Sequence, residues 1–458
     1  MTPAFDLGRP RRIHLVGVGG AGMSAIAAVL CGMGHAVTGS DMKVTPSLAR
    51  LRQAGVAVSV GHSPNQVGAA EAVASSSAVP ASNIELVEAS SRGLPIFSRG
   101  EILAAIAATR RTVAVAGTHG KTTTASMLAL TMGQAGLLPS FLIGGELNET
   151  GTGAVWSEGD WLVVEADESD GTFLALSPEV AVVTSIEADH IEHYGSLRGL
   201  EQAYEAFLGS VREHSVVCVD YPVAAHMAEV HGSVTYGMGL AAQWRIVDVS
   251  GDGISTSFDL EHAGNRTGRF DLPVPGLFNV SNAAAAIVAG LQAGVGLEPA
   301  REALRRFGGV ARRFQFRGAR DDVTFVDDYA HLPGEIEGAL EAAAQGRWRR
   351  KICVFQPHRY SRTAALWASF ADSFSGADVV LIMDIYAAGE APRPGISGLL
   401  IADAVRKAHP DADVSYLATR PEVLFALTET LRAGDLCLVL SAGDAGSLID
   451  DLLGEPKP

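Results

Sequence analysis

Residues 117–122 read Gly-Thr-His-Gly-Lys-Thr and follow an apolar run, Val113-Ala114-Val115-Ala116. Backbone N–H groups of such a turn cradle phosphates, a lysine at the start of the next helix reaches the β- and γ-phosphates, and the following hydroxyl binds Mg²⁺. Lys121 and Thr122 occupy those two places, with Gly117, Thr118, His119, Gly120 and Thr123 completing the candidate nucleotide-binding turn. The strict eight-residue form of this loop has glycine where Val115 stands, so the loop is a shortened variant. The only lysines are Lys43, Lys121, Lys351, Lys407 and Lys457, which makes one inside a glycine turn informative. The plainer alternative is a solvent-facing lysine at a helix start.

A second glycine turn, Gly-Val-Gly-Gly-Ala-Gly at 17–22, sits between a strand at 13–18 and a helix at 23–33. Its glycines permit a tight turn and close approach of a pyrophosphate to the helix N-terminus. The next strand, 35–38, ends at Gly39-Ser40-Asp41, and an acid about twenty residues past such a loop commonly holds a ribose. The local pattern allows NAD, another nucleotide, or a tight turn with no ligand.

Three further clusters carry chemistry. A strand at 161–164 runs into Glu165-Ala166-Asp167-Glu168-Ser169-Asp170, where a metal carboxylate is expected beside a phosphate loop; the alternative is a solvated bend. Another strand, 180–185, reaches Ile186-Glu187-Ala188-Asp189-His190, and His190 is either a second metal ligand or a hydrogen-bonded loop histidine. Asn279 and Asn282 precede a helix at 283–286 and suit an adenine edge, although helix capping would explain one of them. Towards the C-terminus, Arg312-Arg313, Asp327-Asp328-Tyr329-Ala330-His331 and Gln356-Pro357-His358-Arg359-Tyr360-Ser361-Arg362 cluster around strands at 323–327 and 352–355. Two arginines and a histidine at a strand's end suit a carboxylate or phosphate, or form a surface ion-pair face.

Short β-branched runs alternate with Ala/Leu-rich stretches almost throughout, the pattern of α/β units on mostly parallel sheets. Three strand-and-turn signatures, at 13–18, 112–116 and 323–327, open three units, with joints near 105–111 and 309–317. Length agrees: 458 residues at about 150 per domain makes roughly three. With 47% hydrophobic and 19% charged residues, intrinsic disorder is excluded. Cys31, Cys218, Cys353 and Cys437 have no CxxC spacing and lie in apolar stretches, so four buried thiols in a reducing compartment are expected. A formal charge of −16 argues against nucleic acid as a partner. Residues 1–12 carry no apolar h-region, and no run reaches the ~18 apolar residues of a membrane span. A cytoplasmic protein is expected.

Together, GVGGAGMS (17–24), SSAV (76–79), AGTHGKTTT (116–124), EADESD (165–170), IEADH (186–190), RRFQ (312–315), DDYAH (327–331), FQPHRYSRT (355–363) and YAAGE (386–390) resemble the Mur ligase family over nearly the whole chain. The GGAGMS loop and the FQPHRY segment are most similar to the alanine-adding members. The resemblance implies three domains: a Rossmann-like UDP-sugar-binding domain at 1–108, a central ATPase with a mostly parallel sheet at 109–311, and a Rossmann-like amino-acid-binding domain at 312–458. It also implies the chemistry. ATP phosphorylates the lactyl carboxylate of UDP-N-acetylmuramate, the amine of L-alanine attacks the acyl phosphate, and ADP and phosphate leave. ATP and Mg²⁺ (or Mn²⁺) are the implied cofactors, and the protein would act as a monomer or weak homodimer.

By the same resemblance Lys121, Glu168 and His190 are catalytic, and Thr122 and Glu168 hold one metal while His190 helps to hold a second. Asn279 and Asn282 contact adenine, and Arg313 and Asp328 close on ATP. The substrates are met by Gly19, Gly20, Gly22, Met23, Ser24, Ser40, Asp41, Ser76, His331, His358, Arg359 and Arg362. A site assembled from several domains implies closure on binding. The chain departs from the family pattern at Phe278 and Leu332, each replacing a usual histidine, and at Gly151-Thr152-Gly153-Ala154, which lacks the usual asparagine. Some members carry a carbamylated lysine after the IEADH-type segment; residues 191–220 contain no lysine. A sibling that adds a murein peptide is the nearest alternative function, and an NAD-binding oxidoreductase is the alternative from a different class.

Overall fold

A computed structural model describes residues 6–187 and 191–454. It is an α/β protein with three sheets. The first holds β1 (Arg12–Val16), β2 (Ala36–Asp41), β3 (Ala57–Val60), β4 (Ala72–Ser75) and β5 (Ile96–Ser98) in the order β3-β2-β1-β4-β5. All its pairings are parallel. β1 is flanked by β2 on one side and β4 on the other, so connections leave it in opposite directions. That switch point is where open α/β sheets bind ligands, outside the strands' carboxyl ends.

The second sheet contains β6 (Arg111–Ala116), β7 (Ser140–Leu147), β8 (Thr152–Val155), β9 (Trp161–Glu165), β10 (Val180–Val183), β11 (His214–Cys218), β12 (Val234–Gly237), β13 (Trp244–Gly251), β14 (Thr256–His262) and β15 (Asn265–Leu272). Its order is β15-β14-β13-β12-β11-β10-β6-β9-β7-β8. β6 pairs in parallel with both β10 and β9. Val113 to Ala116 are fully buried, as expected of a central parallel strand covered on both faces. The helix Lys121–Gln134 leaves the C-terminal end of β6 after the glycine turn.

The third sheet is built from β16 (Gln315–Arg320), β17 (Val323–Asp328), β18 (Lys351–Gln356), β19 (Val379–Ile382), β20 (Asp413–Tyr416) and β21 (Leu436–Ser441), ordered β16-β17-β21-β18-β19-β20. Only β16 runs antiparallel to its neighbour. β21 lies between β17 and β18, which brings the loops after these two strands to the same sheet edge.

By contact density the chain forms two compact units. One comprises Met1–Val247, Asp259–Phe270 and Ser281–Phe307, and the other Asp248–Phe258, Asp271–Val280 and Gly308–Pro458. Three cysteines are buried free thiols, but Cys31 is only half-buried, contrary to expectation. It stands near the C-terminal end of the helix Ala21–Gly32, where its thiol donates to the Ala54 carbonyl at 3.0 Å. Among the described residues no helix is long and apolar enough to cross a membrane.

Candidate active site

The first glycine turn is fastened to β2. Gly17 and Val18 N–H donate to the Ser40 carbonyl at 2.8 and 3.0 Å, and Gly19 N–H donates to Asp41 Oδ2 at 2.8 Å. Asp41 also accepts from Lys43 N–H, so this expected ribose ligand already shapes the turn it was expected to complement. Ser76 packs on Gly17, where a Cβ would stand 3.1 Å from that of Ser76. The Ser40 hydroxyl turns away into a buried network, donating to Glu85 Oε2 at 2.5 Å. Met23 is buried in the core, and the Ser24 hydroxyl is spent on the Ala21 carbonyl. Gly19, Gly20 and Gly22 remain as backbone at the helix N-terminus, which has neither a side-chain cap nor an acid in its first turn.

The second turn is sewn to the residues after β10. Thr118 N–H donates to the Ser185 carbonyl and His119 N–H to the Ser185 hydroxyl, both at 3.0 Å. Thr184 O–H donates to the His119 carbonyl, and His119 Nε2 lies 3.2 Å from Glu187. Lys121 folds back over the loop: its Nζ donates to the Gly117 carbonyl at 2.6 Å and to Glu168 Oε1 at 2.8 Å. Burial works against this ammonium, but Glu168, Asp167 and Glu165 outweigh it and hold its pKa above the usual lysine value. Burial raises the Glu168 pKa, with Lys121 opposing.

Thr122 faces a different acid. Its hydroxyl donates to Glu165 Oε1 at 3.0 Å, while Glu165 Oε2 accepts from Gly144 N–H at 2.7 Å. Glu165, the last residue of β9, was quoted in the acidic motif but was not among the expected site residues. Among the described residues, one oxygen of Glu168, Oε2, is buried with no partner. The hydroxyl and two carboxylates are hard oxygen donors, a set that fits Mg²⁺ together with phosphate oxygens. Among the described residues no group of three or more His, Cys, Asp or Glu side chains forms a self-sufficient metal cage. His190 lies outside the described residues.

The two asparagines sit inside a helix rather than before one. The helix runs Leu277–Gln292, because the break falls at Gly276, whose φ of +100° ends the preceding segment. Asn282 Oδ1 accepts from the Thr124 hydroxyl at 3.2 Å and lies 2.2 Å from where a Cβ on Gly120 would be. It therefore borders the second glycine turn. In the other unit Asn279 Nδ2 donates to the Pro275 carbonyl at 2.7 Å.

That second unit gathers the C-terminal candidates at the ends of β17 and β18. Asp328 accepts from Phe314 and Ala330 N–H at 2.6 and 2.7 Å, and Arg313 lies over the Tyr329 ring. His331 and His358 ring centroids are 5.8 Å apart, and Arg362 Nη1 is 3.4 Å from His358 Nδ1. Arg359 holds φ at +71°, unusual for a side chain of its size, and its N–H donates to the Tyr386 carbonyl. Such outliers cluster where function fixes a side chain's direction. Tyr386 itself stacks on His358 and was missed by sequence reasoning, although it opens the YAAGE motif.

Three groups here titrate abnormally, and burial lowers His331, the neighbour of His358, in the same direction. Burial, with His331, Arg362 and Arg359 close by, pushes His358 down to about 4. Burial pushes Asp328 up to about 6, against Arg313 and two backbone N–H groups. The signs oppose. Between 6.5 and about 4 the unfolded chain binds a proton that folded His358 refuses, so stability falls as pH drops through that window. Asp328 binds its proton more tightly when folded, so its contribution is complete below 3.8 and is lost as pH rises to about 6. Removing His358 takes away its share of the loss, while the contributions of Asp328 and of His331 remain. The melting temperature of His358→Gln should therefore fall less steeply than that of the native protein between pH 6.5 and 4. Parallel curves would mean that His358 titrates as in an open chain.

The family model for the Mur ligase family, catalytic domain, matches residues 12–111; that for the Mur ligase middle domain matches 115–290; and that for the Mur ligase, glutamate ligase domain, matches 312–443. The UDP-N-acetylmuramate–L-alanine ligase of Anaeromyxobacter sp. (strain Fw109-5) is 42% identical over 450 residues, 97% of this chain and 98% of that one. Its namesake from Nitratidesulfovibrio vulgaris (strain DP4) is 43% identical over 444 residues, 96% of this chain and 97% of the other. Among solved structures, the UDP-N-acetylmuramate–alanine ligase of Thermotoga maritima superposes with a TM-score of 0.83 at 28% identity, covering 97% and 98% of the two chains. A murein peptide ligase from Psychrobacter arcticus gives 0.71 at 25% identity with the same coverage. The glycine turns, the lysine loop and the acidic turn thus stand in a chain that belongs to the Mur ligase family.

Proposed function

We propose that this chain joins L-alanine to the lactyl carboxylate of UDP-N-acetylmuramate, driven by conversion of ATP to ADP and phosphate. Near-full-length identity of 42% to alanine-adding ligases carries this reading. Residues 1–108 bind the UDP-sugar on the first glycine turn, 109–311 bind ATP, and 312–458 bind the amino acid. A carboxylate oxygen attacks the γ-phosphorus and ADP leaves, giving an acyl phosphate. The alanine amine then attacks the carbonyl carbon, loses a proton, and expels phosphate as the amide forms.

Lys121 stabilises the negative charge on the transferred phosphoryl group. Thr122, Glu165 and Glu168 would hold Mg²⁺, with His190 contributing to a second ion. When bound, Mg²⁺ neutralises charge on the phosphate oxygens. Asn279 and Asn282 are assigned to adenine, and Arg313 and Asp328 to ATP. Arg359 and Arg362 orient the amino-acid carboxylate, and His331 and His358 line the same edge; His358, neutral at pH 7, adds no competing charge.

Purified protein should release phosphate from ATP only when UDP-N-acetylmuramate and L-alanine are both present. Equal release without alanine, or none with any amino acid, overturns the reading. A preference for a murein tripeptide over free alanine would transfer it to the peptide-adding sibling.

A further inference from the structure

Arg99 opens the helix Arg99–Ala107, which is fixed at its start by a capping box between Ser98 and Glu101. Its guanidinium lies between two loops. On one side Nη2 pairs with Asp170 Oδ2 at 2.9 Å and Asp167 Oδ2 at 3.4 Å, in the acidic turn that also carries Glu168. On the other, Nη1 stands 2.9 Å from where a Cβ on Gly22 would be, against the first turn of the helix Ala21–Gly32. Gly100 lets the two segments approach, since a Cβ there would meet Thr172 at 3.3 Å.

One of the guanidinium's three nitrogens therefore carries both ion pairs, while among the described residues Nε is buried without a partner. A buried unpaired donor is costly and calls for an explanation. The surroundings supply one. The helix N-terminus beside it has no side-chain cap and no acid in its first turn, so two positive ends face each other. An oxyanion lying on the glycine turn would satisfy both, and an arginine fork matches phosphate geometry.

We infer that Arg99 is a ligand of the sugar nucleotide's diphosphate, reaching it from the side opposite the glycine turn while its other edge stays tied to the acidic turn. This rests on the proposed function, in which that turn binds the UDP-sugar. The arrangement gives the two substrate loops one shared side chain, so diphosphate binding and the placement of Asp167 and Asp170 become linked.

The test measures affinities for UDP, uridine and ATP in the full chain. Arg99→Ala should weaken UDP by about tenfold to a hundredfold, the range of a charge-assisted hydrogen bond, and leave uridine and ATP nearly unchanged. Arg99→Lys should recover part of the loss, because it keeps the charge but not the fork. Asp170→Asn frees the guanidinium and should keep or tighten UDP binding. Three results overturn the inference: UDP and uridine weakened alike, UDP affinity unaffected by Arg99→Ala, or Asp170→Asn weakening UDP as much as Arg99→Ala, which would make Arg99 only a clamp between segments. Native protein that fails to bind UDP would remove the underlying reading as well.

Discussion

Lys121→Met should lower the rate of phosphate release by on the order of 10²–10³-fold or more, the loss seen when one fixed donor to a developing oxyanion is removed. UDP binding should be unaffected, because the first glycine turn makes no hydrogen bond to this lysine. The variant should also be less stable, and for a separate reason. Glu168 is 1% exposed, and its carboxylate is paired with the Lys121 ammonium. Removing one member of a buried pair costs about 3–5 kcal/mol, because the survivor is left charged in a poor solvent or must take up a proton. With Lys121 gone, burial and the nearby Asp167 outweigh the remaining backbone hydrogen bond on Glu168 and favour the protonated acid. Adding Glu168→Gln to Lys121→Met removes the charge and should restore much of the lost stability, while turnover stays as low as in the single variant. The two effects separate in a double-mutant cycle read by urea unfolding and by phosphate release. Recovery of turnover together with stability would show that Lys121 only supports the fold. Equal stability of the single and double variants would show that the pair is not coupled.

Much of this site was legible because glycine spacing and strand punctuation are local signals. Both turns follow parallel strands buried at every position but the first, and each begins the helix the spacing calls for. What local signals cannot decide is which way a side chain points within a turn. Glu165 and Glu168 lie three residues apart in one acidic motif, and either could answer Thr122. The answer depends on β9 pairing with β6 and β7, which aims the strand's last side chain at Thr122 and Gly144 and leaves Glu168 to the lysine. The asparagines failed similarly. The expected helix begins at residue 283, after both asparagines, whereas the positive φ at Gly276 lets it begin six residues earlier, at Leu277. Arg99 was invisible for another reason: its partners lie 68 and 71 residues away, and nothing in Ser98-Arg99-Gly100 announces them. Met23 shows the converse. It stands inside a recognisable motif, yet its side chain belongs to the core.

Gly117→Ala should be the most damaging single methyl group in the phosphate loop. At φ +134° a Cβ would lie 2.0 Å from Thr184 Oγ1 and 2.9 Å from the backbone nitrogens of both Thr184 and Ser185. A side chain can swing aside, but two backbone nitrogens that follow β10 cannot, so the loop itself must move. That displaces the carbonyl that accepts from Lys121 Nζ. The crowding and the backbone conformation together should cost at least about 2 kcal/mol of stability, with ATP affinity falling at least about tenfold. Gly120→Ala should be milder. Its φ of +80° is also unfavourable for alanine, but the atom it meets, at 2.2 Å, is the end of the Asn282 side chain, which can rotate. Gly133→Ala provides the opposite sign: an exposed glycine in the last turn of the same helix, with nothing near its missing Cβ, should gain roughly 0.5–1 kcal/mol on becoming alanine. The melting temperatures should thus rank Gly117→Ala lowest, then Gly120→Ala, then the native chain, then Gly133→Ala. Adding Thr184→Ala to Gly117→Ala tests the cause, because it removes the hydroxyl at 2.0 Å and leaves both nitrogens in place. Little recovery is expected. Full recovery would show that the hydroxyl alone made the crowd, and that the loop does not need glycine to lie against the backbone after β10.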